Sequence, residues 1–361
     1  MSVARDAVDL GYPVTLFHYR PELAELAPSG TRRLQLSRPN GGRLRAISNL
    51  SPAAIRRVGG MMTAEAAAIA IVSQGNIETG IRGLLAARSA NLATISYTPF
   101  GYPMSHMAAR WGVVRDLVDR PAYRLPHAWI TTSEYHARLL RMRTRRDVRV
   151  VPPSISITPS SPRPKVREAS RIDIAVVGRI SFRHKNQGIL PDVVRALRSA
   201  GVAAHVHVIG DGADAERLRS DVQAADLFDT FTFWGWQSPA SVQAIVGEHA
   251  HVWLIPSHFE GAPRVLLEAA SLGIPFVVSR LDCLEDYDIP SAMLADANDA
   301  VGMARGIITV ASESFADVAA ATNAAIVRSH SRARAIRALE VALDSQRLRG
   351  AAAQESRGRH R

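Results

Sequence analysis

Apolar runs of four to six residues alternate with longer amphipathic stretches from residue 172 to residue 279. Strands are predicted at 172–177, 205–209, 231–234, 251–256 and 276–279, each short enough to be a buried parallel strand. Helices are predicted between them at 187–199, 213–225, 239–248 and 264–272. Gly201 and Gly273 end two of these helices, Pro263 suits a first helical position, and Pro275 blocks a return to helix. Such alternation predicts an α/β domain, a parallel sheet with helices on both faces.

The first half follows the same pattern with more interruption. Residues 1–10 read as the last turns of a helix, followed by a strand at 14–18. Residues 34–57 are rich in Gly, Arg and Pro and read as irregular. Strands are expected at 68–73, 92–97, 129–133 and 148–151, with helices at 81–90 and 135–143. Pro152, Pro153, Pro159, Pro162 and Pro164, mixed with Ser and Arg, mark a linker. The expected organisation is therefore a first domain over 1–151, a linker over 152–170 and a second domain over 171–313. An acidic loop at 282–288 and a helix at 300–310 fall inside the second domain. Helices over 314–348 and a disordered basic tail over 349–361 complete it.

With 361 residues the chain can bury two separate cores. No apolar run approaches 18 residues, so no membrane-spanning helix is expected. Asp6 and Asp9 stand where a secretory leader would be basic and then apolar, and Cys283 is the single cysteine. A reducing cytoplasm is the simple expectation. The net charge is +11. Residues 138–149 hold six Arg and one Asp; residues 328–361 hold nine Arg, two Glu and one Asp. A solvated face, an anionic membrane and nucleic acid are the readings open to such runs. Aromatic residues do not interleave with the Arg, so no nucleic-acid partner is expected. The cations are almost all Arg: only Lys165 and Lys185 are Lys. A Lys at 185 therefore suggests a position that wants a compact ammonium.

Two carboxylates draw attention in the segment 251–279. Glu260 falls in the loop after a strand, and Glu268 lies on the following helix, about 7.5 Å further along the axis. The helix start offers free N–H groups to a phosphate. A ligand with phosphates at one end and hydroxyls at the other, such as a nucleotide-sugar, fits this layout. An ordinary surface Glu beside a βαβ helix fits it as well. Gln74 and Asn76 follow a strand, on the edge where α/β sheets hold ligands. Gly210-Asp211-Gly212 is too short for a dinucleotide fingerprint and reads as a turn. Trp236 follows a strand and a Gly, where it would flank a nucleobase or pack in the core.

Glu260-Gly261-Ala262-Pro263 with Glu268-Ala269 resembles the E-x7-E motif of the retaining group 1 glycosyltransferases, also called family 4. Gly178-Arg179 followed by Lys185-Asn186 resembles that family's second signature, and Pro256-Ser257 also fits. The resemblance implies the GT-B architecture, two Rossmann-like parallel-sheet domains facing one another across a cleft. It implies sugar transfer with retention from a nucleoside-diphosphate sugar co-substrate to a glycan or lipid-linked acceptor, without a cofactor or obligatory metal. By resemblance, Gly178, Arg179, Lys185, Trp236, Glu260, Gly261, Ala262, Pro263 and Glu268 would contact the donor. Arg179 and Lys185 would neutralise the diphosphate, Glu260 would hold the sugar and Glu268 the ribose. Gln74, Asn76, Phe100 and His106 are the acceptor-side candidates.

Two departures stand out. Phe100 occupies a position that is His in many relatives. The strand and Gly-rich loop that usually precede the first helix are missing, so an earlier start is expected. The alternatives are a catalytically impaired nucleotide-sugar-binding protein and a nucleotide-sugar epimerase or hydrolase. The expected location is the cytoplasm, with the inner face of the plasma membrane as a peripheral site.

Overall fold

The computed structural model describes residues 2–18, 25, 27–36, 51–75, 77–106, 111–154 and 171–358. Two compact units divide the chain: residues 1–154 with 332–361, and residues 155–331. The predicted linker lies largely in 155–170, outside the described residues.

The first unit begins with α1 (Ser2–Asp9), β1 (Thr15–His18) and β2 (Arg32–Gln35). It continues with α2 (Pro52–Ala64), β3 (Ile69–Ser73), α3 (Ile77–Ser89) and β4 (Ala93–Tyr97). Then come α4 (Gly112–Val118), β5 (Ala128–Thr131), α5 (Glu134–Arg141) and β6 (Asp147–Val150). Two of these correct the irregular reading of 34–57: β2 ends inside it, and α2 starts at Pro52, which sits in the first helical turn where its missing N–H costs nothing. Strands β3 to β6 form one parallel sheet in sequence order, and β1 and β2 form a separate parallel pair. Among the described residues, side chains link the two sheets. Phe17 of β1 and Ala70 of β3 pack with Val58, Met62 and Ala86. Glu65 accepts a hydrogen bond from Thr15 Oγ1 at 3.0 Å and pairs with Arg32 at 3.2 Å.

The second unit contains β7 (Ile172–Val177), α6 (Phe182–Lys185), α7 (Leu190–Ser199) and β8 (Ala204–Ile209). It continues with α8 (Ala215–Ala224), β9 (Phe231–Gly235), α9 (Pro239–His249), β10 (Val252–Ile255), α10 (Arg264–Ser271) and β11 (Phe276–Ser279). It closes with β12 (Leu294–Ala295), α11 (Ala300–Ala311) and α12 (Ala316–Ser329). The sheet order is β12-β11-β10-β7-β8-β9, and every pairing is parallel. Val252 to Ile255 are all buried, as a strand covered on both faces requires.

The last helix, α13, spans Arg332–Gly358 and belongs to the first unit. Its Leu339, Ala342 and Leu343 pack with Ala7 of α1 and with Ile95 and Ile130 of the sheet. The return to the first unit therefore starts at Arg332 rather than at residue 314. Asn323 of α12 stays in the second unit, donating to Ile274 O at 3.2 Å. The helix also runs on to Gly358, where a disordered tail is expected from composition; Ala351, Ala352 and Ala353 are strong helix formers.

A buried histidine cluster lies toward the N-terminal ends of β7, β8 and β10. His207 Nε2 contacts Asp173 Oδ1 at 3.2 Å, while Trp234 Nε1 donates to His207 Nδ1 at 3.3 Å. The His207 proton therefore sits on Nε2. His251 Nδ1 accepts the Asp173 backbone N–H at 2.9 Å. His249 stacks on His207, and Arg171 pairs with Asp173. Among the described residues no three such side chains converge as metal ligands would. Burial holds both His205 and His251 below the ordinary imidazole range; His207 and Arg171 add to this, and Asp173 opposes it. Burial pushes the Asp173 carboxyl up, but hydrogen bonds from His207 and Arg171, with the Arg171 charge, outweigh it and hold it down.

These depressed histidines are neutral in the fold and take up protons when it opens. Their stabilisation is present above about pH 6.5, the unfolded value, and is lost as pH falls through the lower folded values. Asp173 extends the loss at lower pH. The second unit should melt at a lower temperature at pH 5.5 than at pH 7.5, and His205→Gln should reduce the difference. A melting temperature that is flat across this interval would refute the account.

Candidate functional site

In the second unit the order of strands reverses between β7 and β10, which are paired side by side. Ligands of open α/β sheets bind outside the strand ends at such a switch point. The loops leaving these two strands carry the two sequence signatures.

After β7 the chain turns sharply at Gly178, with φ of +136°. Ladder-like bonds then fasten this loop to its neighbour: Gly178 N–H to Ile209 O and Ile180 N–H to Asp211 O, both 2.9 Å. A Cβ on Gly210 would lie 2.0 Å from Gly178 O, and one on Gly212 would lie 2.1 Å from Ile180 O. Gly210-Asp211-Gly212 is thus a close approach between two loops rather than the turn its composition predicts; the turn follows at 213–214. Asp214 Oδ2 accepts the Phe182 N–H at 2.8 Å, supplying a partner at the start of α6. Gln187 Oε1 accepts the Ser181 N–H, and its Nε2 donates to Arg179 O, both at 3.0 Å. Asn186 ends α6 with φ of 57° and donates to Ala297 O at 2.6 Å.

Lys185 is consequently the last residue of a one-turn helix, not a loop residue. Its Nζ lies 2.5 Å from Glu260 Oε1, and Ser257 Oγ donates to the same oxygen at 2.8 Å. The β10 loop is fixed to the β7 loop by the His258 N–H donating to His184 O at 3.0 Å. Glu260 is buried and Lys185 half-buried, so the pair is partly shielded from water. Arg179 is exposed. Burial lowers the His184 pKa, Glu260 opposes this, and Arg179, Lys185 and Arg183 lower it further. The loop thus concentrates positive charge around one buried carboxylate.

Gly261 and Pro263 are buried and Ala262 is half-buried. Pro263 has φ −71° and ψ 101° and precedes α10, so it caps the helix from outside rather than opening it. Glu268 lies on α10, half-buried. Burial raises its carboxyl pKa, and Arg264 and then Lys185 pull it back. Lys185 therefore sits within electrostatic reach of both carboxylates of the motif. Trp236 follows Gly235, whose φ is +65°, and is 74 % exposed, which settles its packing against the core reading.

The first-unit candidates do not assemble in the same way. Gln74 is buried and donates to Ser96 Oγ at 2.6 Å, inside the sheet. Asn76 lies outside the described residues. Phe100 lines a small pocket with Tyr102, Tyr123 and Trp129. His106 is exposed and stacks on Tyr102 at 4.8 Å. A histidine that sequence reading passed over, His136 on α5, is buried and accepts the Gly101 N–H at 3.1 Å. Its distance of 35 residues from Gly101 leaves no local signal. Asp214 gives no local signal for the same reason, since it accepts from the Phe182 N–H in another segment, whereas Gln187 acts within its own loop, on Ser181 and Arg179.

Residues 171–313 match the family model of the group 1 glycosyl transferases. The lipopolysaccharide 1,6-galactosyltransferase of Escherichia coli (strain K12) is 28% identical over 185 residues, covering 46% of this chain and 50% of the relative. The chain thus spans about half the length of the curated relatives it matches. Sucrose-phosphate synthase from Thermosynechococcus elongatus superposes with a TM-score of 0.76 at 18% identity, covering 97% of this chain and 92% of that one. Anabaena HepE, solved in complex with UDP and glucose, gives 0.75 at 15% identity over 95% of each chain. These structural neighbours are GT-B glycosyltransferases, and the likeness shows the fold.

Proposed function

We propose, from the match over residues 171–313, that this chain transfers a sugar from a nucleoside-diphosphate sugar to a glycan or lipid-linked acceptor, with retention of configuration. The observation that carries the reading is the meeting of Lys185 with Glu260 at the switch point, with Glu268 and Arg179 around it. In the reaction the acceptor hydroxyl forms a bond to the anomeric carbon as the bond to the diphosphate oxygen breaks. The hydroxyl proton leaves with the diphosphate. Negative charge grows on the departing oxygen, and an ammonium and a guanidinium placed beforehand stabilise it most where it is largest. Lys185 uses one of its three donors on Glu260 and keeps the others for phosphate oxygens.

In this reading Glu260 has two tasks. It holds the ammonium in place, and its second oxygen accepts from the sugar hydroxyls. Glu268 accepts from the ribose hydroxyls, and Trp236 covers the base. No metal or cofactor takes part. The HepE complex with UDP makes a uridine nucleotide the first donor to try.

Calorimetry with UDP separates the two carboxylates. Glu268→Gln should weaken UDP binding about ten-fold, the worth of a hydrogen bond to a charged group. Glu260→Gln should leave UDP binding nearly unchanged and lower sugar transfer. The reverse pattern would exchange the two roles, and UDP binding untouched by either change would remove the site. Incubating the protein with UDP-sugar alone distinguishes transfer from hydrolysis or epimerisation: a transferase consumes donor slowly until acceptor is added.

A further inference from the structure

We propose that the first unit carries a docking surface for an anionic lipid bilayer, built from the outward face of α4 and the arginines beside it. Trp111, Val113, Leu117 and Val118 are 70%, 75%, 64% and 70% exposed, and Val114 is 53% exposed. An ordinary surface helix turns its apolar stripe inward. Here the polar side is locked inward instead. Asp116 accepts the Met104 N–H at 2.7 Å, the Ser105 N–H at 3.0 Å and the Ser105 hydroxyl at 2.6 Å. Burial pushes the Asp116 carboxyl up, but these bonds and the nearby Arg143 outweigh it and hold it below the ordinary range. Gly112 lies against the Ser105 backbone so closely that a Cβ would fall 2.6 Å from Ser105 N. The helix cannot roll to bury its valines without breaking this clamp.

Contiguous exposed apolar surface of this kind marks an interaction site. The charge beside it selects the occupant. From α4 the chain passes into a 3-10 turn, Arg120–Arg124, in which Arg120 and Arg124 are exposed. The Arg146 guanidinium donates to Arg124 O at 3.1 Å, bringing the Arg-rich turn after α5 alongside. Met142, 74% exposed, and the exposed Arg145 lie on that turn. Residues 111–149 hold nine Arg against four carboxylates, Asp116, Asp119, Glu134 and Asp147. Two copies meeting through this face would set like charge against like charge. Aliphatic side chains and a Trp, followed in the chain by the exposed Arg120 and Arg124, instead match the acyl boundary and the anionic headgroups of a membrane. The Arg138–Arg149 run, one of the two charged runs in the sequence, thereby acquires an apolar anchor that it lacked.

The inference does not rest on sugar transfer, because binding is read without nucleotide. The full chain should co-float with phosphatidylglycerol–phosphatidylcholine vesicles at low salt and not with pure phosphatidylcholine. Leu117→Gln with Val118→Gln should weaken binding at least about ten-fold, since each removes an inserted apolar side chain. Arg120→Gln and Arg124→Gln should each weaken it about five-fold, the equivalent of about 1 kcal/mol per cation near an anionic surface. All four side chains are exposed, so melting temperatures should not move; were the double change to unfold the chain, Val114→Gln gives the same reading. Absence of vesicle binding, or binding indifferent to both sets of changes, would overturn the proposal. So would a dimer in sedimentation that Leu117→Gln dissociates, which would assign the face to a second copy.

Discussion

Replacing Lys185 by Ala is expected to lower the sugar-transfer turnover number by about 10²–10³-fold, the cost of losing one preorganised electrostatic group, about 2.7–4 kcal/mol. Its ammonium is placed by α6, whose start is held by Asp214 and whose end is held by Asn186. The charge is therefore paid for by the fold before the donor arrives. Lys185→Arg should not restore activity, because a planar fork cannot occupy the site of a compact ammonium against Glu260. The variant also has a structural cost. Glu260 is 7% exposed in its side chain and would lose the ammonium beside it while keeping the bond from Ser257 Oγ. Removing the cation from beside a buried carboxylate is destabilising, by about 1–3 kcal/mol after discounting for the part of Lys185 that water reaches. Lys185→Ala combined with Glu260→Gln separates the two effects. It should regain melting temperature but not turnover. Near-normal turnover in Lys185→Ala would remove the lysine from the mechanism; recovered turnover in the double variant would reduce it to a partner for Glu260.

Gly210→Ala is expected to have the second large effect, on the fold and through it on the site. Gly210 has φ of +147°, a conformation that L side chains rarely adopt, and its missing Cβ would lie 2.0 Å from Gly178 O. Strained backbone costs about 1–3 kcal/mol and forced overpacking a similar amount. The neighbour is a carbonyl oxygen within the β7 loop, so it cannot rotate away as a flexible side chain would. Either the second unit loses a large part of the about 5–15 kcal/mol that stabilises a typical domain, or the Gly178–Arg179 turn moves. The measurement is the melting temperature of Gly210→Ala with turnover at a temperature where the variant remains folded. Gly247→Ala is the control, since a Cβ there meets nothing within 4 Å. A variant as stable and as active as the control would show that the two loops do not depend on their close approach.

Much of the second unit was legible from the pattern of side chains alone. A buried parallel strand is mostly apolar, so 172–177 and 276–279 are legible with their observed limits even though Asp173 interrupts the first of them. Helix ends moved by a residue or two, as at Pro263, because a proline serves equally well just outside a helix and just inside it. The first unit was less legible. α2 buries Val58 and Met62 but is interrupted by Gly59-Gly60, and α4 turns its valines outward, so neither reads as a plain amphipathic helix. Their places are set by contacts outside the helix itself, such as Gly59 against Ala86 and Asp116 against Ser105.

For the site, the chain by itself determined which residue types were available: a Lys among arginines, two carboxylates at motif spacing, and glycines where loops must turn. These are local properties of composition and spacing. The tertiary structure alone decided that Lys185 and Glu260, 75 residues apart, share a hydrogen bond. It also decided that Gly210 and Gly212 are needed for contact rather than for turning, and that α4 faces outward. Each of these depends on which strands become neighbours. A strand order that places β7 beside β10 is a property of the packed sheet, and no single stretch of sequence encodes it.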